Sequence, residues 1–181
     1  MKNAVRTIAS VTLFALAMSL PASAEDFKLG IGGGATFPIG DFGDAYKTGW
    51  NATVRALWLP SSSFVGIRGA GYYGQNASKY PDFFGTTIKS VGLYGVDANA
   101  AFRLTGKGAE GLYTNAGIGF RSLHQAAEST GSSFSQTDTN ISYNGGLGYS
   151  ARSFFVEANA VYFRVHGADI WSVPVTVGFQ F

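Results

Sequence analysis

The chain has 181 residues, a formal net charge of +2, two histidines and no cysteine; 46% of it is hydrophobic, 13% is charged, and 25 residues are glycine. That length fits one domain. The composition excludes disulfides and thiolate metal sites, leaves too few histidines for a histidine-rich cage, and falls well short of the quarter of charged residues usual in soluble domains.

The first element is not part of the fold. Lys2 and Arg6 precede the mostly apolar "IASVTLFALAMSL" (Ile8 to Leu20), and Ala22 and Ala24 offer an A-x-A cleavage site. This reads as a secretory signal peptide over 1–24, too short to span a bilayer as a helix. The domain expected to remain is 25–181. Of the 13 basic residues two leave with the leader, so 11 basic residues face 11 acidic ones. A neutral chain gives no electrostatic reason to expect nucleic acid as a partner. Beyond the leader there is no run of about 18 apolar residues, so lipid can be crossed only by strands.

Eight runs of period two follow, each between turn-forming residues. In chain order they are Phe27 to Phe37, Trp50 to Leu59, Phe64 to Tyr73, Thr87 to Leu104, Gly111 to His124, Asn140 to Ser150, Phe154 to Val165 and Ile170 to Phe181. In the first, Phe27, Leu29, Ile31, Ala35 and Phe37 oppose Lys28, Gly30, Gly32, Gly34 and Thr36. In the last, Trp171, Val173, Val175, Val177, Phe179 and Phe181 share one face. Links after the first, third and fifth runs are long (Pro38 to Gly49, Gly74 to Thr86, Gln125 to Thr139). Those after the second, fourth and sixth are short, as is His166 to Asp169. Long and short links therefore gather at opposite ends of an up-and-down sheet.

Alternation alone does not say which face is outside. A soluble carrier barrel is apolar within, and a membrane barrel is the reverse. The reverse is expected here because the polar face is rich in glycine and its charges divide by sign, Arg55, Arg68, Arg103 and Arg121 beside Asp97 and Glu157. A four-residue turn at Pro60 to Ser63 places Arg55 across from Arg68, with Asp97 as the nearest expected partner and Glu157 sharing that role after closure. Trp50 and Trp58 end one face of the second run, roughly 20 Å apart along the axis of a barrel with tilted strands, near the height of an apolar membrane band. With Trp171 they form the expected aromatic girdle, since such rings favour the lipid–water boundary. Only helices and closed barrels satisfy every backbone group in lipid. The expected fold is thus all-β, an eight-stranded antiparallel up-and-down transmembrane barrel.

The leader, the eight hairpin-linked strands, "LGIGGGATFPIGDFGDAYKTGW" and the terminal "VTVGFQF" together resemble the small outer-membrane β-barrel proteins of Gram-negative bacteria, of the OmpA/OmpX type. The resemblance covers the whole chain after the leader. It implies location in the cell outer membrane, both termini and the short turns in the periplasm, and the long loops outside the cell. It also implies that Val173, Val175, Val177, Phe179 and Phe181 act as an assembly signal for the barrel-insertion machinery.

Function is open at this point. An eight-stranded barrel is barely wide enough for its own side chains, so a structural or surface-interaction role through the long loops is the leading expectation. Tyr80, Phe83 and Phe84 are the candidate contacts with an extracellular partner, and the protein is expected to be monomeric in outer-membrane lipid. A narrow channel for small solutes, a lipid-modifying barrel enzyme and a soluble periplasmic carrier are the alternatives. For an enzyme, Ser122, His124, His166 and Asp169 supply a hydroxyl, two imidazoles and a carboxylate. The order seen in lipid A deacylases, serine two residues after histidine, is broken by Ala126. "GIGGG" lacks the Lys-Ser/Thr ending of a phosphate loop, and no cofactor is expected.

Overall fold

The structure, a computed structural model, describes residues 26–80, 82–83, 86–129 and 132–181; the side chains of 81–89 and 126–134 are outside the description. The expected signal peptide and Phe84 fall outside it, and Phe83 is described only as backbone.

The strands are β1 (Phe27–Ile39), β2 (Gly49–Trp58), β3 (Val65–Ala77), the two-residue β4 (Asp82–Phe83), β5 (Thr86–Arg103), β6 (Gly111–Ser129), β7 (Ser132–Ser150), β8 (Phe154–Val165) and β9 (Ala168–Gln180); one short helix, α1 (Asp41–Ala45), follows β1. Every pairing is antiparallel. The order runs β3-β2-β1-β9-β8-β7-β6-β5, and β3 pairs with β5, so eight strands close on themselves while β4 attaches to the end of β5. At the seam the Leu29 amide donates to the Phe181 carbonyl at 3.0 Å and the Phe181 amide to Leu29 at 2.9 Å. No sheet edge is then left within the ring, which is the condition for crossing hydrocarbon.

Side chains sort as a membrane barrel requires. Phe179 (75% exposed), Ile31, Val177, Phe120 and Ile118 point outward, while Arg55, Arg68 and Arg121 are each 3% exposed. Asp26, Phe181 and the links after β2, β5 and β7 lie at one mouth, called lower here. The upper mouth carries α1, β4, the β6–β7 hairpin and the β8–β9 turn. That last turn is built on His166 (φ 48) and Gly167 (φ 86), the pair of positive φ values a two-residue hairpin needs.

Two sequence expectations change. The β6–β7 link, expected as coil over Gln125 to Thr139, is ladder down to Ser129 opposite Ser132. Its Ser, Thr and Gln residues suit strands but show no apolar alternation. The β2–β3 register is also two residues off the expected one. Trp58 pairs with Ile67, so Arg55 faces Ala70 and Arg68 faces Leu57. The wider turn is held by Asp26, which accepts from the Ser61 amide (2.8 Å) and hydroxyl (2.6 Å).

Candidate functional site

Strand β8 maps the lumen. Its inward residues are Phe155, Glu157, Asn159, Val161, Phe163 and Val165, all buried, while Phe154, Val156, Ala158 and Ala160 face out. From the lower mouth upward, the interior is thus aromatic, charged, amide-rich and then apolar.

At the lower level Phe155 fills the space left by glycines. A Cβ on Gly30, Gly32 or Gly178 would lie 2.8, 2.9 or 2.7 Å from its ring. The Arg55 guanidinium stacks on the same ring at 3.8 Å, a geometry that suits a cation over a π face. Arg55 donates to Glu157 Oε1 at 2.6 Å, and Arg68 grips the carboxylate with both Nε (2.9 Å) and NH2 (2.6 Å). The Tyr113 hydroxyl donates to Glu157, and Arg55 also reaches Tyr113 and Gln180. Three charged groups so buried persist only because each is paired and hydrogen-bonded.

The second level differs from the sequence expectation. Asp97 does not serve Arg55 and Arg68; it accepts from Arg121 NH2 at 2.6 Å, and Arg121 lies over Tyr72 at 4.5 Å. The Tyr72 hydroxyl in turn meets Thr36 Oγ1 at 2.6 Å. Glu157 takes both lower arginines because its inward position on β8 reaches them across the closed ring. Arg103 belongs to neither level. It donates to the carbonyls of Leu59 (3.2 Å), Ser61 (3.4 Å) and Pro60, bracing the β2–β3 turn.

Between the two levels is a cavity of about 20 Å³ lined by Arg68, Asp97, Arg121, Glu157, Asn159 and Pro174. Pro174 has no N–H, and the β8–β9 ladder is interrupted beside it, between Ala158 opposite Val175 and Val161 opposite Ser172. Arg121 NH1, Asp97 Oδ1 and Asn159 Oδ1 have no protein partner. A volume of that size among charged and amide side chains suits a single water. Nothing larger fits.

Both mouths are apolar plugs. Above, Phe42 of α1 (3% exposed) packs with Val91, Leu93, Leu123, Val161, Phe163, Val165 and Ile170. The segment is fastened by Lys47 N to Ala77 O (2.8 Å), Lys79 N to Ala45 O (2.9 Å), and Gln125 to the Tyr46 hydroxyl (2.8 Å). Below, Leu57, Leu59, Ala101, Ala109 and Tyr113 form a second cluster.

On the outside, Trp50 lies 5.4 Å from Tyr73, and Trp171 lies 4.7 Å from Tyr162, both near the upper end. Trp58 is half-buried near the lower end. Phe179 and Phe181 are exposed beside the seam, with Val173 and Val175 partly so and Val177 fully. Tyr80 is 67% exposed above the upper mouth. The candidate catalytic set is dispersed. Ser122 bonds Thr139 (2.6 Å), His124 bonds Thr137 (2.8 Å), His166 meets Asp138 (3.4 Å), and Asp169 accepts from Arg164 (2.7 Å) and Tyr162 (2.9 Å). Among the described residues there is no cluster of metal-ligating side chains.

Sequence reasoning missed Tyr113, Phe155 and Gln180 at the lower level and Phe42 at the upper plug. A signal for Phe155 exists: an aromatic residue in phase with Glu157 and Asn159, on the polar face.

No protein-family model matches the chain, and no curated protein matches it in sequence. Solved structures do match in fold. The attachment invasion locus protein Ail of Yersinia pestis is 21% identical, with 86% of this chain and 97% of that one covered and a TM-score of 0.55. A second Ail structure, in complex with the heparin analogue sucrose octasulfate, gives 19%, 86%, 96% and 0.58. The N-terminal β-barrel domain of Pseudomonas aeruginosa OprF gives 18%, 86%, 96% and 0.56. The chain has the fold of these small eight-stranded outer-membrane barrels.

Proposed function

We propose that this chain is a monomeric integral outer-membrane protein, exported by its 1–24 leader, whose role is structural or surface-interacting and neither catalytic nor conductive. One observation carries this. Among the described residues the lumen carries apolar plugs at both ends, and the cavity between its two charged levels measures about 20 Å³. A barrel without a passage has only its outer surface and its loops to work with.

The upper mouth is then extracellular, and Tyr80, Phe83 and Phe84 remain candidate contacts there. Trp50, Trp58 and Trp171 anchor the barrel at the two lipid boundaries, and the terminal Val173, Val175, Val177, Phe179 and Phe181 serve recognition by the insertion machinery. The sulfated ligand of Ail is not carried over. The upper ends and links here hold Lys47, Lys79, Lys89 and Arg164 against Asp41, Asp44, Asp82, Glu128, Asp138 and Asp169, no excess of positive charge to attract a polyanion.

The test compares planar-bilayer conductance of the detergent-folded protein with retention of whole cells on host-cell or matrix-coated surfaces. Silent bilayers are expected, with retention that falls when Tyr80 to Phe84 are deleted. Stable conductance steps from the intact protein would favour the narrow channel instead. Altered lipid A acylation in overproducing cells would reinstate an enzyme.

A further inference from the structure

Two ladders hold the β8–β9 hairpin in the barrel wall, and both stop short of its tip. The β7–β8 ladder ends at Ser142 opposite Phe163, and the β1–β9 ladder ends at Ile39 opposite Trp171. From Arg164 to Ile170 the two strands pair only with each other, Arg164 with Asp169 and Val165 with Ala168, around the His166–Gly167 turn. The inner face of this arm carries Val165 and Ile170, each 9% exposed, which close the upper apolar plug together with Phe42. A segment tied to its neighbours by few backbone bonds opens at a lower free energy than the ladders beneath it.

Where β7 and β8 part, a side-chain contact spans the gap. His166 Nε2 lies 3.4 Å from Asp138 Oδ1 on β7, and Asp138 Oδ2 accepts from Gln136 Nε2 at 3.0 Å. The other charged and titratable groups on the elements around the turn have partners or places of their own. Arg164 and Asp169 pair with each other at 2.7 Å, and Tyr162 donates to Asp169. Helix α1 brings Asp41 and Asp44, with Tyr46 at its end bonded to Gln125, and His124 of β6 meets Thr137 Oγ1 at 2.8 Å. Arg164 is thus matched by Asp169, which leaves Asp138 to His166. Imidazole is the side chain that gains or loses its charge between about pH 5 and pH 8. The contact is an ion pair only while the ring carries its proton, so its attraction is present in mild acid and is lost as the pH rises through that interval.

We propose that Arg164 to Ile170 form a lid over the upper mouth whose closure is set by pH. Protonated His166 clasps the lid to β7 in mild acid. Above neutrality the clasp loosens, the arm lifts more often, and the apolar plug beneath it meets water. The turn suits this role, because its two positive φ values reverse the chain within two residues and carry His166 at the very tip. A small swing of the arm there makes or breaks the contact. The His166 side chain is 68% exposed, so the change in open population is a few-fold and not a complete switch. The device does not depend on the surface-interaction role.

The test uses the full detergent-folded protein with labelled valine and alanine methyls and a water-soluble paramagnetic chelate. The relaxation that the chelate imposes on the Val165 methyls is measured at about pH 5.5 and about pH 8. It is expected to rise about threefold at the higher pH, while Ala101 of the lower plug, 0% exposed, stays constant. Asp138→Asn keeps the side-chain volume and is expected to show the higher value at both pH values. His166→Asn is expected to do the same, since asparagine tolerates the left-handed backbone of the turn. His124→Gln is expected to respond as the unaltered protein does. A Val165 signal that does not change with pH overturns the proposal, because burial alone then holds the arm. A response that survives Asp138→Asn, or that vanishes with His124→Gln, overturns it as well, since another group is then the sensor.

Discussion

The belt and the upper mouth follow the same alternation with opposite chemistry. In the belt, Val156, Ala158 and Ala160 of β8 face out while Glu157 and Asn159 face in. One turn of the pleat higher, Tyr162 and Arg164 face out while Val161, Phe163 and Val165 face in. The strand does not change face; its surroundings change. Where hydrocarbon lies outside, polar groups gain by turning inward and pairing with one another. Where water lies outside, apolar groups gain by turning inward. A period-two pattern thus reports two faces, and the solvent decides which is the core.

The comparison can be broken from either side. The largest effect is expected in the belt. Glu157→Ala leaves Arg55 and Arg68 without their shared carboxylate in a dry interior and is expected to cost about 3–5 kcal/mol. This would show as a lower urea midpoint for the folded protein in micelles. Replacing all three groups at once, with Arg55→Met, Arg68→Met and Glu157→Leu, is expected to recover most of the loss; failure to recover would mean the charges do more than compensate one another.

Phe42→Ala tests the upper mouth. Removing the ring from its apolar cluster is expected to cost about 3 kcal/mol, read as faster amide exchange in α1 and at Ala77 to Lys79, with the belt ladder unaffected. Exchange that rises equally throughout the barrel would show that the two regions are one cooperative unit.

A smaller change is expected for Asp97→Ala, about 1.5–3 kcal/mol for a lost charged hydrogen bond, since the adjacent cavity lets water reach Arg121. The same variant combined with Arg121→Leu should recover part of it, whereas combination with Arg55→Met should not. The reverse outcome would restore the partner expected from sequence. Smallest of all is Asp169→Asn. Its pair with Arg164 is solvent-exposed on both sides, and such pairs contribute little, so no measurable shift in midpoint is expected.

The eight strands, their faces and the outward apolar surface were readable because alternation runs long in each segment. Partners were less so. Asp97 meets Arg121 and not the arginines the sequence suggests, because a turn two residues wider than expected moves Arg68 along β3, and because contacts across a closed ring depend on strand stagger that no local pattern encodes. The plugs were hidden for another reason. Val91, Leu93, Ala101, Val161 and Phe163 stand in phase with Asp97 or Glu157, and a face defined by its charges passes over them. The upper half of β7 lacks apolar alternation and is rich in Ser, Thr and Asp, so it reads as coil.

Joining β1 to β9 has a temporal consequence. The last strand of the ring to be synthesised is the first one's neighbour, so the cylinder cannot be completed before β9 is made. Until Phe181 reaches Leu29, two long rows of amides and carbonyls stay open, and a lipid-seeking exterior has no stable home in water. Any shortening that removes β9 therefore forfeits the whole ring, not one stave of it.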